Sequence, residues 1–327
     1  VLVIKICVIG MGNIGRHHAR VLSDLPGAEL VGVAEPKLAG KGPVGVKVFE
    51  DYRVMLDEQK PTAVVLSVPT ELHVSIACEA MQRGIHVLVE KPIARSLEEA
   101  DLMIATAKKY GVKLMVGHLE RFNPAVLEIK RCVEAGELGR IFQLSARRIS
   151  PFPPRILDVG VILDIATHDI DAMHFVTGGE VTRVVAETAR KAHKTHEDMV
   201  SGLLRFSTGE IGVIDVHWLS PQKIRQLSVV GEGGMVVADY LAQDVLFYKN
   251  GRVNESWTPA SHFSGAVEGD MVKTYIPKKE PLRAEHESFV ACIRDDSTPF
   301  VTGEDGRAAL AVALRMIESG ARGGASL

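Results

Sequence analysis

Ile4-Lys5-Ile6-Cys7-Val8-Ile9-Gly10-Met11-Gly12-Asn13-Ile14-Gly15 is the stretch that decides the fold. A short apolar run reads as a buried strand, and the GxGxxG pattern after it opens a helix. The pattern alone is weak, but here it joins the strand and helix of a βαβ unit, the setting that binds a dinucleotide. Gly10 permits the tight turn, Gly12 lets a pyrophosphate approach the backbone, and Gly15 lets helix pack closely on strand. Free N–H groups at the helix start, around Asn13 and Ile14, face the phosphates. Glu35 closes the second strand, 20 residues after Gly15. A carboxylate there accepts the ribose hydroxyls and repels a 2′-phosphate, so NAD is expected rather than NADP.

Outward from this unit, strands read at 29–34, 63–68, 86–90 and 113–117. A helix over 71–83 stops at Gly84, and Ser96 with Glu99 forms a capping-box signal for another that stops at Gly111. Repeated βα units imply a parallel, doubly wound sheet. After His118 the pattern changes. Asn123-Pro124 caps a helix, then long strands read at 141–149, 181–190, 200–206, 211–218 and 224–230, with hairpin signals at Ser207–Glu210 and Asn250-Gly251. A helix spans Asp164 to Val176, two more cover 282–294 and 304–319, and the tail over 320–324 reads as frayed. Gly231-Glu232-Gly233-Gly234 joins two strands and reads as a turn. The expected fold is α/β: a Rossmann domain over 1–120 and an α+β domain over 121–327 with a large open, mostly antiparallel sheet.

At 327 residues two domains are the default. A net charge of −3 with no Lys/Arg block argues against a nucleic-acid binder. No apolar run reaches the roughly 18–20 residues a bilayer requires, so no membrane partner is expected. The four cysteines, at 7, 78, 132 and 292, form no CxxC pair. They suit reduced thiols in a cytoplasm.

Glu90-Lys91-Pro92 follows a strand at the sheet edge where ligands collect in open α/β folds. Pro92 keeps Lys91 out of the helical region. Such a lysine could stabilise a developing alkoxide; from position alone, a surface lysine in a loop is an equal reading. Asp164, His168 and Asp171, at i, i+4 and i+7, share one helix face. Histidine suits the removal of an alcohol proton near neutral pH, while a capped helix with a satisfied polar face is the plainer reading. No motif supports a metal site with His174, and none is expected.

Together, Gly10–Gly15, Glu90-Lys91-Pro92 and Asp164–His168 resemble the glucose–fructose oxidoreductase/inositol dehydrogenase (Gfo/Idh/MocA) family, as do Pro69 with His73 and the ending Glu304-Asp305-Gly306. The resemblance spans nearly the whole chain. It implies that Lys91 and His168 are catalytic with Asp164 in support, that Pro69, Thr70, His73, Glu90 and Lys91 line the cofactor edge, and that copies join as a homodimer or homotetramer through the C-terminal sheet. The approach to Asp164 departs from the family pattern at Asp158 and Val159, and Ala166 stands where glycine is common, which puts the local backbone in question. The segments 117–124 and 151–155 resemble the branch that oxidises the 3-hydroxyl of UDP-N-acetylglucosamine to a ketone. A nucleotide sugar has two phosphates, which guanidinium groups bind well. Arg121, Arg148 and Arg155 are the expected substrate contacts, with Arg147 nearby, although at least one of these arginines is expected to make a structural ion pair. The alternatives are a dehydrogenase of an inositol or free sugar, and a non-catalytic sensor of NAD or sugar.

Overall fold

The computed structural model describes residues 3–36, 42–153, 159–251 and 268–327. It has two compact units, one formed by Val1–Phe122 with Glu280–Ala311 and the other by Asn123–Lys279 with Val312–Leu327.

The first unit runs β1 (Ile4–Ile9), α1 (Asn13–Leu22), β2 (Ala28–Ala34), β3 (Lys47–Phe49), α2 (Tyr52–Gln59), β4 (Ala63–Leu66), α3 (His73–Gln82), β5 (His86–Glu90), α4 (Leu97–Tyr110) and β6 (Leu114–Gly117). The six strands lie in the order β3-β2-β1-β4-β5-β6, and every pair is parallel. The order reverses between β1 and β4, which makes their C-terminal ends the ligand edge of the sheet. All four β4 residues are buried, as a parallel strand covered on both faces should be. The Ser96 hydroxyl caps α4 by accepting the Glu99 N–H at 3.3 Å. Glu99 turns its own carboxylate to the Arg95 N–H instead of closing the predicted box. β3 and α2 fall in a stretch where the sequence carried no clear signal. Late in the chain, α7 (Pro281–Arg294) and the first part of α8 (Gly303–Ala321) complete this unit. Thr302 and Asp305 exchange backbone-to-side-chain bonds at the start of α8, a true capping box.

The second unit begins with α5 (Pro124–Glu134), capped by Asn123 as expected. Its strands are β7 (Ile141–Ile149), β8 (Val181–Ala189), β9 (Met199–Phe206), β10 (Ile211–His217), β11 (Ile224–Gly231), β12 (Gly234–Asp239), β13 (Asp244–Asn250) and β14 (Glu268–Thr274), with α6 (Thr167–Thr177) before β8. They form one eight-stranded sheet ordered β14-β13-β12-β11-β7-β10-β9-β8. Among the described strands only β7 and β10 pair in parallel; the other pairs are antiparallel. One face is apolar and buried, through residues such as Leu144, Ala146, Ile214 and Leu227. The other leaves Leu203 51 % and Met271 62 % exposed.

Three local expectations are corrected. Asn250-Gly251 does not close a tight hairpin, because the partner of β13 starts only at Glu268. The tail does not fray: Leu327 exchanges both backbone bonds with Val184 at 2.8 and 2.9 Å. The helix expected from Asp164 opens instead with a π turn, Ile162–Ala166, and becomes α only at Thr167. Its entry is tied down by Glu197, whose carbonyl accepts the Val161 N–H and whose carboxylate accepts the Ile162 N–H. No helix among the described residues is long and apolar enough to cross a membrane.

Candidate active site

In the first unit, Gly10 adopts φ +92°, a region L-residues avoid. Its carbonyl accepts the Ser67 hydroxyl at 2.7 Å. A Cβ on Gly15 would run into the Gly10 carbonyl oxygen, whereas a Cβ on Gly12 would meet only open space. Among the described residues no side chain caps the start of α1, so the N–H groups around Asn13 and Ile14 are left for an anion. The half-buried Glu35 carboxylate accepts the Met11 N–H at 3.0 Å, which holds it across the glycine turn. The residues therefore fit NAD: a backbone cradle for the pyrophosphate and a fixed carboxylate for the ribose. Gly15→Ala should cost about 1–3 kcal/mol through overpacking. It should also weaken NAD binding, as read by urea unfolding and by NAD titration.

Along the same strand ends, Pro69 precedes a 3₁₀ turn over Thr70–Leu72, and Lys91 follows β5, half-buried, with a cis bond to Pro92. His73 is buried, its two ring nitrogens set against carbonyl oxygens of Val68 at 3.0 Å and Pro92 at 3.1 Å. Burial pushes this imidazole below its ordinary value, only partly opposed by the carbonyls. The ring braces the loops after β4 and β5 against each other. Glu90 accepts the Lys91 N–H at 3.1 Å and meets His18 Nε2 at 2.9 Å. Arg121 is buried and pairs with Asp305 of the α8 capping box at 3.0 Å.

In the second unit, Asp164 and His168 are half-buried, whereas Asp171 is 1 % exposed. The expected common face is thus divided: the π turn and α6 present Asp164 and His168 towards accessible surface and turn Asp171 inward. Arg148 makes a two-pronged ion pair with Asp169, at 2.7 and 3.0 Å, with both side chains buried. The Arg148 guanidinium also lies over the Tyr240 ring at 5.5 Å. Arg147 pairs more loosely with Asp215. Arg155 and Asp158 lie outside the described residues. Among the described residues no cluster could hold a metal ion.

Several residues were not anticipated. Arg225 stands opposite Arg148 in the β7–β11 register, so the two side chains share a sheet face. Lys223, two residues earlier, is held below its ordinary value, first by the charge of Arg225, then by partial burial and by Arg148. Lys223-Ile224-Arg225 alternates as a strand should, and that alternation was the available signal. His18, Glu285 and His286 are fully buried.

Residues 4–118 match the family described as "Oxidoreductase family, NAD-binding Rossmann fold". Residues 126–237 match the "GFO/IDH/MocA C-terminal domain". The chain is 29 % identical to UDP-N-acetylglucosamine 3-dehydrogenase of Acidithiobacillus ferrooxidans, covering 94 % of this chain and 95 % of that one. The solved structure of that enzyme, GnnA, superposes with a TM-score of 0.84 over 98 % of both chains. scyllo-Inositol 2-dehydrogenase (NAD(+)) of Bacillus subtilis is 27 % identical over 97 % of this chain and 94 % of its own length. The WlbA dehydrogenase of Bordetella pertussis, solved with NADH and UDP-GlcNAcA, is 25 % identical with a TM-score of 0.81, over 99 % of this chain and 98 % of that one. With the glycine cradle, the Glu35 carboxylate and both domain matches in agreement, the chain belongs to the GFO/IDH/MocA family and is an NAD-dependent oxidoreductase.

Proposed function

We propose that the chain oxidises the 3-hydroxyl of UDP-N-acetylglucosamine to the 3-keto sugar. The observation that carries this reading is the gathering of Lys223 and Arg225 beside the Arg148–Asp169 ion pair, on the sheet face that packs the residue after His168. Guanidinium and ammonium groups gathered on one face suit the two phosphates of a sugar diphosphate. The likeness to the A. ferrooxidans enzyme supports the same substrate.

Bound NAD supplies the hydride acceptor. His168 takes the proton of the hydroxyl, with Asp164 orienting the ring or holding a neighbouring hydroxyl. Lys91 donates a hydrogen bond to the oxygen as its negative charge grows, which favours the transition state over the bound alcohol. Arg148 fixes Asp169 and thereby the first turns of α6. Arg121 shapes the loop after β6 through Asp305. Pro69, Thr70 and His73 define the cofactor edge, and Arg155 is retained as a diphosphate contact. We place the homodimer or homotetramer contact on the half-exposed face of the eight-stranded sheet, and the enzyme in the cytoplasm.

The test is NADH formation with UDP-N-acetylglucosamine, scyllo-inositol and free N-acetylglucosamine. The nucleotide sugar should be the fastest by kcat/KM. Lys223→Ala and Arg225→Ala should each raise its KM by about tenfold, the loss of one charge-assisted contact, with little change in kcat. Faster turnover of scyllo-inositol, indifferent to both substitutions, would identify an inositol dehydrogenase instead.

A further inference from the structure

Behind Lys91 lies a buried array that the mechanism above does not use. His18 from α1 and His286 from α7 are both 0 % exposed. Their rings meet edge to face, with His18 Nδ1 2.9 Å from His286 Nε2. The other His18 nitrogen, Nε2, lies 2.9 Å from Glu90 Oε1. The second Glu90 oxygen accepts the Lys91 N–H. Glu285, also 0 % exposed, has no hydrogen-bond partner for either carboxyl oxygen among the described residues, and neither has His286 Nδ1.

The proton inventory follows from these contacts. A carboxylate only accepts, so His18 Nε2 carries a hydrogen for Glu90. Burial alone would push Glu90 up. The bond and charge of His18 with the charge and N–H of Lys91 outweigh it and leave Glu90 below the usual carboxylate range. Glu285 has no such support. Burial first and the Glu90 charge second push it well above that range, so Glu285 is the neutral acid of the two. Burial and then His18 push His286 well below its ordinary value, so it is neutral. Also near Glu90 are His73 from α3, which senses its charge, and Gly117 on β6, whose lack of a side chain leaves room for the carboxylate.

We propose that His18, His286 and Glu285 are positioning residues that act through Glu90, keeping one fixed negative charge against the Lys91 backbone on which turnover depends. The proposal rests on the reading of Lys91 as a catalytic residue. The neutral acid leaves Glu90 as the single charge of the carboxyl pair. The histidine pair orients that charge through one carboxylate oxygen while the Lys91 N–H holds the other.

The test uses the full chain, with NAD and UDP-N-acetylglucosamine as probe. His18→Phe removes the donor to Glu90, so burial dominates and Glu90 takes up its proton at higher pH. The ratio of the variant's kcat to that of the unsubstituted enzyme, in which protonation of the general base cancels, should fall by about tenfold as the pH is lowered through the raised Glu90 midpoint, with NAD affinity unchanged. His18→Gln restores a neutral N–H and should bring that ratio most of the way back to one. Glu285→Gln replaces a neutral acid by a neutral amide and keeps Glu90 the single charge of the pair. It should also remove a protonated-carboxyl band from the infrared spectrum at neutral pH. A kcat ratio that stays level with pH in His18→Phe, or no such band before substitution, overturns the proposal. Lys91→Ala is the separate control: if it keeps full turnover, the reading of Lys91 fails, whereas the infrared arm still reports on Glu285.

Discussion

His168→Ala will lower kcat by about 10²–10⁴-fold, the usual worth of a positioned general base, and leave NAD affinity unchanged. Lys91→Ala will fall in the same range, because in the proposed mechanism Lys91 is the donor to the oxygen whose charge develops in the transition state. His168 lies half-buried on the helix behind the π turn and Lys91 at the C-terminal end of β5, so neither is part of the glycine cradle that holds the dinucleotide. The two effects will not add fully, since groups serving one proton transfer act as a unit. Stopped-flow or steady-state NADH absorbance gives kcat, and protein fluorescence gives NAD affinity. Full activity in the Lys91→Ala, His168→Ala double variant would falsify the assignment of roles.

Arg148→Met will destabilise the protein by about 3–5 kcal/mol, because Asp169 would be left charged and alone in the interior. Both side chains are 3 % exposed or less and joined by two short bonds. Arg148→Lys will also be poorly tolerated, since an ammonium cannot reproduce the fork or lie flat on Tyr240. The paired change Arg148→Met, Asp169→Leu will recover most of the loss, as apolar replacements of buried ion pairs often do. Urea midpoints of the four proteins measure this. A loss below about 1 kcal/mol for Arg148→Met would mean that the pair is open to water.

The Rossmann half was legible because its signals are local and redundant. A glycine pattern between strand and helix, an acidic residue after the second strand and clean stops at Gly84 and Gly111 all point the same way. The central strands of the second sheet were legible from alternation, as with Ile211–His217, where every second residue is buried. What escaped depends on tertiary partners. β3 has only three residues, too few for a period. The π turn at Asp164 is set by Glu197, more than thirty positions later. The same holds for the arginines. Arg148 and Arg121 announce a positive charge, but nothing local says that Asp169 and Asp305 already hold it. One signal was present and unused. In α7, Leu282, Glu285, His286, Phe289 and Val290 follow the spacing of an apolar stripe, and all five are buried. An acid and a histidine within such a stripe mark a polar cluster in the core.

The first unit is assembled from both ends of the chain. As the polypeptide leaves the ribosome, the six-stranded sheet can form while α7 is still more than 150 residues from being synthesised. Until then His18 has no His286, and the flank of α1 that α7 covers stays wet. The nascent Rossmann half must wait, sticky and unsealed, through the synthesis of the entire second sheet. Release of premature fragments should therefore burden chaperones and proteases more than the loss of a late helix would suggest.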